Sequence, residues 1–156
     1  MKFDIMNRCV MLILIATMFS NCAVSQDHKT AKEIYESGTM RDATDFYLVS
    51  RDSVTLRDTF KYKYDTSLSV QKSYHKNMAL RAYAFYYKNK AQGKLTIYEM
   101  DGSIGAIAHF KDGLYDGEFY VYDKGVLKTK TMYKSNVVLY KIIYDETGKI
   151  ADSTAR

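Results

Sequence analysis

The chain has 156 residues, with 23 lysines and arginines against 18 aspartates and glutamates, which suits one domain of modest positive charge. The basic residues are scattered, whereas a nucleic-acid-binding protein concentrates them on one element, so the composition argues against a nucleic-acid partner. The 15 tyrosines and the absence of proline favour a β-sheet, because aromatic rings suit a pleated surface and strands need every backbone N–H for pairing.

Residues 1–21 have the pattern of an export signal. Lys2 and Arg8 precede an apolar run over residues 9–19. This run is shorter than the roughly 20 apolar residues of a membrane span, and its length is typical of a secretory signal. We therefore expect the protein to be exported.

The segment FSNC, residues 19–22, resembles a bacterial lipobox. The resemblance implies that Cys22 is acylated and becomes the mature N-terminus, which would anchor the protein in the membrane of the bacterial cell envelope. The expected location is the outer membrane or a periplasm-facing leaflet. Cleavage after Ser25 is the alternative, and it would give a soluble secreted or periplasmic protein. Because the other cysteine, Cys9, lies inside the signal, no structural disulfide is expected.

Residues 22–45 are mostly polar and are predicted to form a tether between the signal and the domain. Within the tether, the pattern predicts a short helix over about residues 29–37, with Gly38 as its C-terminal stop.

Residues 46–156 are predicted to form the folded domain. Short apolar and aromatic runs, among them FYLVS at 46–50 and SVTLR at 53–57, have the composition of strands. Between many of the runs lie turn sequences such as MDG, KDG, YDG (residues 115–117), DKG and KSN, whose Asp, Asn and Gly residues supply the positive φ of tight hairpins. No helix-length gap separates the strands, so consecutive antiparallel hairpins are expected.

A repeat of 22–24 residues is clearest over residues 74–153. It aligns Tyr74, Tyr98, Tyr122 and Tyr144, each followed five or six positions later by an apolar residue. A second aromatic residue follows, and after it comes a turn. The unit is therefore one hairpin of two strands.

This pattern resembles the MORN-variant repeat of bacterial proteins, most closely over residues 98–150. Five glycines occupy the turn positions of that family: Gly102, Gly113, Gly117, Gly125 and Gly148. Asn136 replaces a further glycine, since asparagine tolerates positive φ. The resemblance implies an all-β fold in which tandem antiparallel hairpins form one elongated, twisted, open sheet.

Residues that could support catalysis or metal binding have simpler structural interpretations. His28, His75 and His109 lack metal-ligand spacing. Three carboxylates, Asp112, Asp116 and Glu118, could belong to a carbohydrate-active enzyme, but the two aspartates precede glycine and are typical of turns. Nucleophile and phosphate-loop motifs are absent. No enzyme activity, metal or cofactor is predicted.

The candidate binding face lies around LKTKTMYK, residues 127–134. Strand alternation places its lysines on one face, and a further lysine follows on the neighbouring strand. The predicted basic residues are Lys128, Lys130, Lys134 and Lys141, and the predicted aromatic contacts are Tyr98, Tyr122 and Tyr144. An ordinary solvated sheet face is the alternative interpretation.

The sequence predicts an exported, lipid-anchored, non-catalytic protein that acts as a scaffold or binding module. Its partner would be a protein or an envelope polymer. The repeat family includes antitoxin-like members, so the resemblance also allows an immunity-type protein that binds a toxin.

Overall fold

The computed structural model describes residues 28–39 and 43–155. The predicted signal segment, Cys9, Cys22 and the alternative cleavage site after Ser25 lie outside the described residues. Within the described ranges, none of the helical structure has the length and apolar character needed to cross a membrane.

The described chain contains one short helix, one 3₁₀ turn and eleven strands. The helix α1 spans Ala31–Ser37, and the 3₁₀ turn spans Ala43–Asp45. The strands are β1 (Phe46–Asp52), β2 (Arg57–Tyr62), β3 (Leu68–Tyr74), β4 (Leu80–Tyr87), β5 (Lys90–Tyr98), β6 (Ile104–Lys111), β7 (Leu114–Tyr115), β8 (Gly117–Asp123), β9 (Val126–Lys134), β10 (Val137–Tyr144) and β11 (Ile150–Ala155). They form one open antiparallel sheet in chain order, with the two-residue β7 pairing only with β6. The predicted all-β fold of consecutive antiparallel hairpins is confirmed.

The sequence repeat has a structural counterpart at one rim of the sheet. Its tyrosines lie at or next to the end of every second strand in the order of the sheet. Each pairs with the apolar residue that follows it in the repeat: Tyr74 with Leu80, Tyr98 with Ile104, Tyr122 with Leu127 and Tyr144 with Ile150. A register shift precedes each of these pairs. Such irregularities bend a strand and increase its twist, so each unit adds the same local twist to the sheet.

Tight two-residue turns close hairpins at both rims of the sheet: the β8–β9 turn lies beside Tyr122, and the other three lie at the opposite rim. Two-residue connections with positive φ at both positions join β4 to β5, β6 to β7, β8 to β9 and β9 to β10, as at Lys124 (φ 48°) and Gly125 (φ 78°). This is the type I′ geometry, whose twist matches that of the strands. The other four glycines from the repeat pattern also have positive φ: Gly102, Gly113, Gly117 and Gly148.

One predicted strand is wrong. SVTLR at residues 53–57 forms mainly the turn between β1 and β2, and only Arg57 is in a strand. The carboxylate of Asp52 accepts hydrogen bonds from the N–H groups of Val54 and Thr55, at 2.9 and 3.1 Å, and from the Thr55 hydroxyl at 2.6 Å. An aspartate that bonds to following N–H groups favours a turn over a strand, whatever the β-propensity of valine and threonine.

The predicted short helix and its stop at Gly38 are confirmed. A capping box starts α1: the Glu33 N–H donates to the Thr30 hydroxyl at 3.3 Å, and the Thr30 N–H donates to the Glu33 carboxylate at 2.7 Å. Gly38 ends the helix in the left-handed conformation, with φ 65°.

The helix belongs to the folded unit, so the predicted tether is wrong over Ala31–Ser37. Ala31 and Ile34 are buried in a core cluster whose other members lie on β2, β3 and β4: Tyr62, Leu68, Val70 and Phe85. Tyr62 also donates its hydroxyl to the carbonyl of Lys29 at 2.7 Å. The helix therefore covers one face of the sheet near the N-terminal strands. At the other end of the sheet, every residue of β11 is exposed.

Candidate binding surfaces

The lysines of β9 share one face of the sheet with Tyr120 and Tyr122 of β8. Lys130 pairs with Tyr120 of β8 and with Ile142 of β10, and paired residues in antiparallel strands point to the same side. Lys128 and Lys134 lie on this side by alternation. We call this surface of β8–β10 the lysine face.

Lys141 lies on the opposite face, so its predicted grouping with the other lysines is wrong. It pairs with Thr131, whose side chain alternates with that of Lys130. A register shift between Val138 and Tyr140 inserts one extra residue into β10. Because side chains alternate with a period of two, one inserted residue moves all later residues of the strand to the other side.

The three lysines of the lysine face are neutralised by carboxylates. Their Nζ atoms lie 2.8 Å from Glu146 for Lys128, 2.6 Å from Glu118 for Lys130 and 3.1 Å from Asp116 for Lys134. The hydrogen bond to Glu118 raises the pKa of Lys130. The lysine face is therefore not a net positive patch, which removes the main electrostatic attraction for anionic lipid or another polyanion.

The predicted tyrosines occupy the rim of the sheet described above. Tyr98, Tyr122 and Tyr144 end strands that alternate in the sheet, so their backbones lie about 10 Å apart along the rim. Tyr122 lies beside Tyr120 on the lysine face, with 6.4 Å between ring centroids. These tyrosines are half-buried and are partly available for contact.

An aromatic cluster covers the face opposite the lysines. It consists of Phe110, Tyr115, Phe119 and Tyr133, with ring centroids 4.6 Å apart for Phe110 and Tyr115 and 5.2 Å apart for Tyr115 and Tyr133. The sequence prediction missed this cluster, because Tyr115 was assigned to a turn. The sequence feature that could have predicted the cluster is the second aromatic residue of each repeat unit, since Phe110 and Tyr133 occupy that position.

Two of the three predicted carboxylates, Asp116 and Glu118, are hydrogen-bonded to neighbouring side chains. Asp116 accepts from Lys134, and Glu118 accepts from Lys130 and the Tyr120 hydroxyl. These bonds lower the pKa of both carboxyls. A glycosidase instead needs one carboxyl whose pKa is raised, so that it can donate a proton near neutral pH.

The three histidines lie in separate places. His28 stacks on Tyr64, and the Nε2 of His75 lies 2.9 Å from the Tyr98 carbonyl. The Nδ1 of His109 lies 2.8 Å from the Glu118 carbonyl oxygen. In the described residues, no group of three or more histidines, cysteines or carboxylates could hold a metal ion.

A groove of about 710 Å³ runs between α1 and strands β4–β6, and we call it the α1 groove. The helix supplies Lys32, Tyr35 and Glu36 to one wall. The sheet comes close to the helix at Gly93, where an added Cβ would lie 2.1 Å from the Tyr35 carbonyl oxygen. Glycine is therefore required for this approach. The sequence prediction missed the groove because it assigned the helix to a tether.

Other polar residues line the sheet wall of the α1 groove. Gln92 donates from Nε2 to Oδ1 of Asp112 at 2.8 Å. His109, Lys94 and Lys111 also line the groove. The lining thus combines tyrosine rings with hydrogen-bonding groups of both kinds, a composition suited to a polar organic ligand.

No protein-family model and no curated protein matches the chain. Solved structures with partial similarity include TarM, with a TM-score of 0.33 and 11% identity over 71% of this chain and 25% of that one. A mutant of S. aureus TarM in complex with fondaparinux, alpha-GlcNAc-glycerol and UDP gives a TM-score of 0.37 and 12% identity over 73% of this chain and 24% of the other. The pneumococcal O-GlcNAc transferase GtfA, in complex with UDP and GlcNAc, gives a TM-score of 0.30 and 12% identity over 64% of this chain and 18% of the other. The chain spans a quarter or less of these proteins, and similarity at this level establishes neither a shared fold nor a shared function.

Proposed function

We propose that the protein is an exported, lipid-anchored, non-catalytic binding module that presents its open sheet to an envelope protein or polymer. The observation that carries the proposal is the uncovered half of the sheet. The helix packs on β4 and β5, whereas the strands from β8 onward make their main contacts with neighbouring strands. Both faces of this half carry large aromatic or aliphatic side chains.

Several large apolar side chains are exposed in this half of the sheet. Val126, Val137, Leu139 and Ile150 are all exposed, and the aromatic cluster adds Tyr115. Exposed apolar side chains that form a contiguous patch mark interaction sites in soluble proteins, and the proposal assigns that role to this group. Because tyrosine and phenylalanine bury large areas with few rotatable bonds, they make effective contact residues.

The ion pairs of the lysine face favour a partner held by apolar and aromatic contacts over one held by charge. Lys130 would have to lose its bond to Glu118 before it could bind an anionic partner. The proposal therefore names a protein surface or a polymer, with the tyrosines as the main contacts.

The export component is tested by the intact mass of the mature protein from its native cells. We expect a chain that starts at Cys22 and carries acyl groups. A chain that starts at Gln26 and carries no lipid would show that the protein is secreted without a lipid anchor. An intact chain from Met1 would refute export.

The binding component is tested by photo-crosslinking in living cells. The photoreactive analogue p-benzoylphenylalanine would replace Tyr115 on one face or Tyr122 on the other, and Val54 as the control. Val54 is 90% exposed at the β1–β2 turn, far along the sheet. We expect an adduct from a sheet position and none from Val54. Absence of adducts at both tyrosines would refute the proposal, and one defined protein adduct would narrow it to an immunity-type role.

A further inference from the structure

We propose that the α1 groove binds a neutral oligosaccharide, at the scale of a disaccharide or trisaccharide. This inference goes beyond the proposed function, because it adds a second site to the open sheet. The site is concave and lies at the helix-covered end of the sheet, next to the lysine face, with which it shares Asp116.

The size of the groove fits this ligand class. Its volume of about 710 Å³ lies within the roughly 300–1,000 Å³ of small-molecule sites. The groove is formed by two packed elements, because Ala31 and Ile34 hold the helix against the sheet. The walls are therefore present before a ligand arrives, which lowers the entropic cost of binding.

The groove contains a pair of aromatic rings. Tyr35 of the helix and Tyr87 of β4 have ring centroids 6.1 Å apart, inclined at 41°. Both rings pack against the core cluster, so their positions are fixed. The C–H groups on the apolar side of a sugar ring pack well on such rings, because the face of an aromatic ring is electron-rich.

Two acceptors are oriented by their own hydrogen bonds. The Glu118 carbonyl can only accept, so Nδ1 of His109 carries the proton and Nε2 of the neutral ring is an acceptor. The bond from Gln92 fixes the Asp112 carboxylate, which has further lone pairs for a ligand hydroxyl. The ammonium groups of Lys94 and Lys111, also on the lining, are donors.

The lining of the groove carries no net charge. It contains three lysines and three carboxylates: Lys32, Lys94, Lys111, Glu36, Asp112 and Asp116, of which Asp116 also pairs with Lys134 of the lysine face. A charged ligand would meet like charges as often as opposite ones. The hydroxyls of a neutral sugar both donate and accept, so they can bond to ammonium and carboxylate groups alike. Charge balance thus favours a neutral sugar over an anionic one.

The test is saturation-transfer NMR of the full chain with three neutral probes: cellotriose, maltotriose and N,N′,N″-triacetylchitotriose. Lys32→Trp would fill the groove from the exposed side of the helix. Its control is Lys29→Trp, which lies just before the helix and outside the groove lining. His109→Asn keeps a donor at the Nδ1 position and removes the Nε2 acceptor. Circular dichroism and thermal unfolding check that each variant is folded.

We expect saturable binding of at least one probe by the wild type and by Lys29→Trp. Both groove variants should bind that probe at least about tenfold more weakly, a loss of about 1.4 kcal/mol. Absence of saturable binding for all three probes would overturn the inference, as would wild-type affinity in both groove variants. Tighter binding of an anionic oligosaccharide or a peptide would overturn the assigned class. The crosslinks at Tyr115 and Tyr122 are independent of this result, so the two proposals can fail separately.

Discussion

Replacing Ile34 by alanine tests whether α1 is part of the fold. Ile34 is 6% exposed and belongs to the core cluster. The substitution removes three carbon atoms, each worth about 0.8 kcal/mol in transfer from water, which gives about 2.4 kcal/mol. The cavity that remains adds to this, so we expect a loss of about 2–5 kcal/mol in the free energy of unfolding. Such a loss is a large part of the stability of a small domain.

The assay is urea unfolding followed by circular dichroism and tyrosine fluorescence, with the full chain. Glu36→Ala is the control on the same helix, because Glu36 is exposed and its contact with Lys32 spans 3.8 Å on the surface. This control should change the stability by no more than about 0.5 kcal/mol. If Ile34→Ala also stays within that range, α1 does not dock on the sheet, and the α1 groove loses one wall.

Three further predictions concern the sheet. Gly93→Ala should destabilise the fold by about 1–3 kcal/mol more than Gly102→Ala in urea unfolding. Both positions have positive φ, but only at Gly93 would the added Cβ clash with a backbone oxygen, that of Tyr35. Equal losses would contradict this close approach. The Arg51 hydrogen bond lowers the pKa of Asp58, so the ionised carboxylate adds stability above a pH of about 3.9, and this stability is lost as the pH falls through the lowered pKa. The melting temperature of Arg51→Ala should therefore fall less steeply in acid than that of the wild type. Parallel curves of melting temperature against pH would count against this ion pair. On the exposed edge strand β11, Asp152 accepts the N–H of Ser153 at 2.7 Å. Asp152→Ala should therefore increase self-association in sedimentation velocity. An unchanged monomer fraction would show that this bond does not protect the edge.

Much of the sheet could be predicted because its determinants are local. The type I′ turns depend on residues that tolerate positive φ, such as Asn136 and Gly125, and their positions can be recognised from four residues of sequence. The rim pairs follow from the same spacing, since Tyr98 and Ile104 are joined by one short loop. A chain of such hairpins has only one simple way to form a sheet.

The candidate site was predicted less well, because it depends on which face each side chain takes. Lys128, Lys130 and Lys134 share a strand, so alternation sufficed for them. Lys141 lies beyond a register shift, and the position of such a shift is set by pairing with the neighbouring strand. Their carboxylate partners also come from other strands or turns, so the neutral charge of the lysine face could not be read from residues 127–134.

The sequence by itself determined the repeat, most of the hairpin turns and the end of α1 at Gly38, because each depends on residues close together in the chain. The export signal stays a prediction. Only the tertiary structure decided that α1 packs on the sheet, that the aromatic cluster forms and that the α1 groove exists. The contact of Gly93 with Tyr35 joins residues 58 positions apart. Contacts over such separations depend on how the completed sheet twists and on which of its faces remains open for the helix.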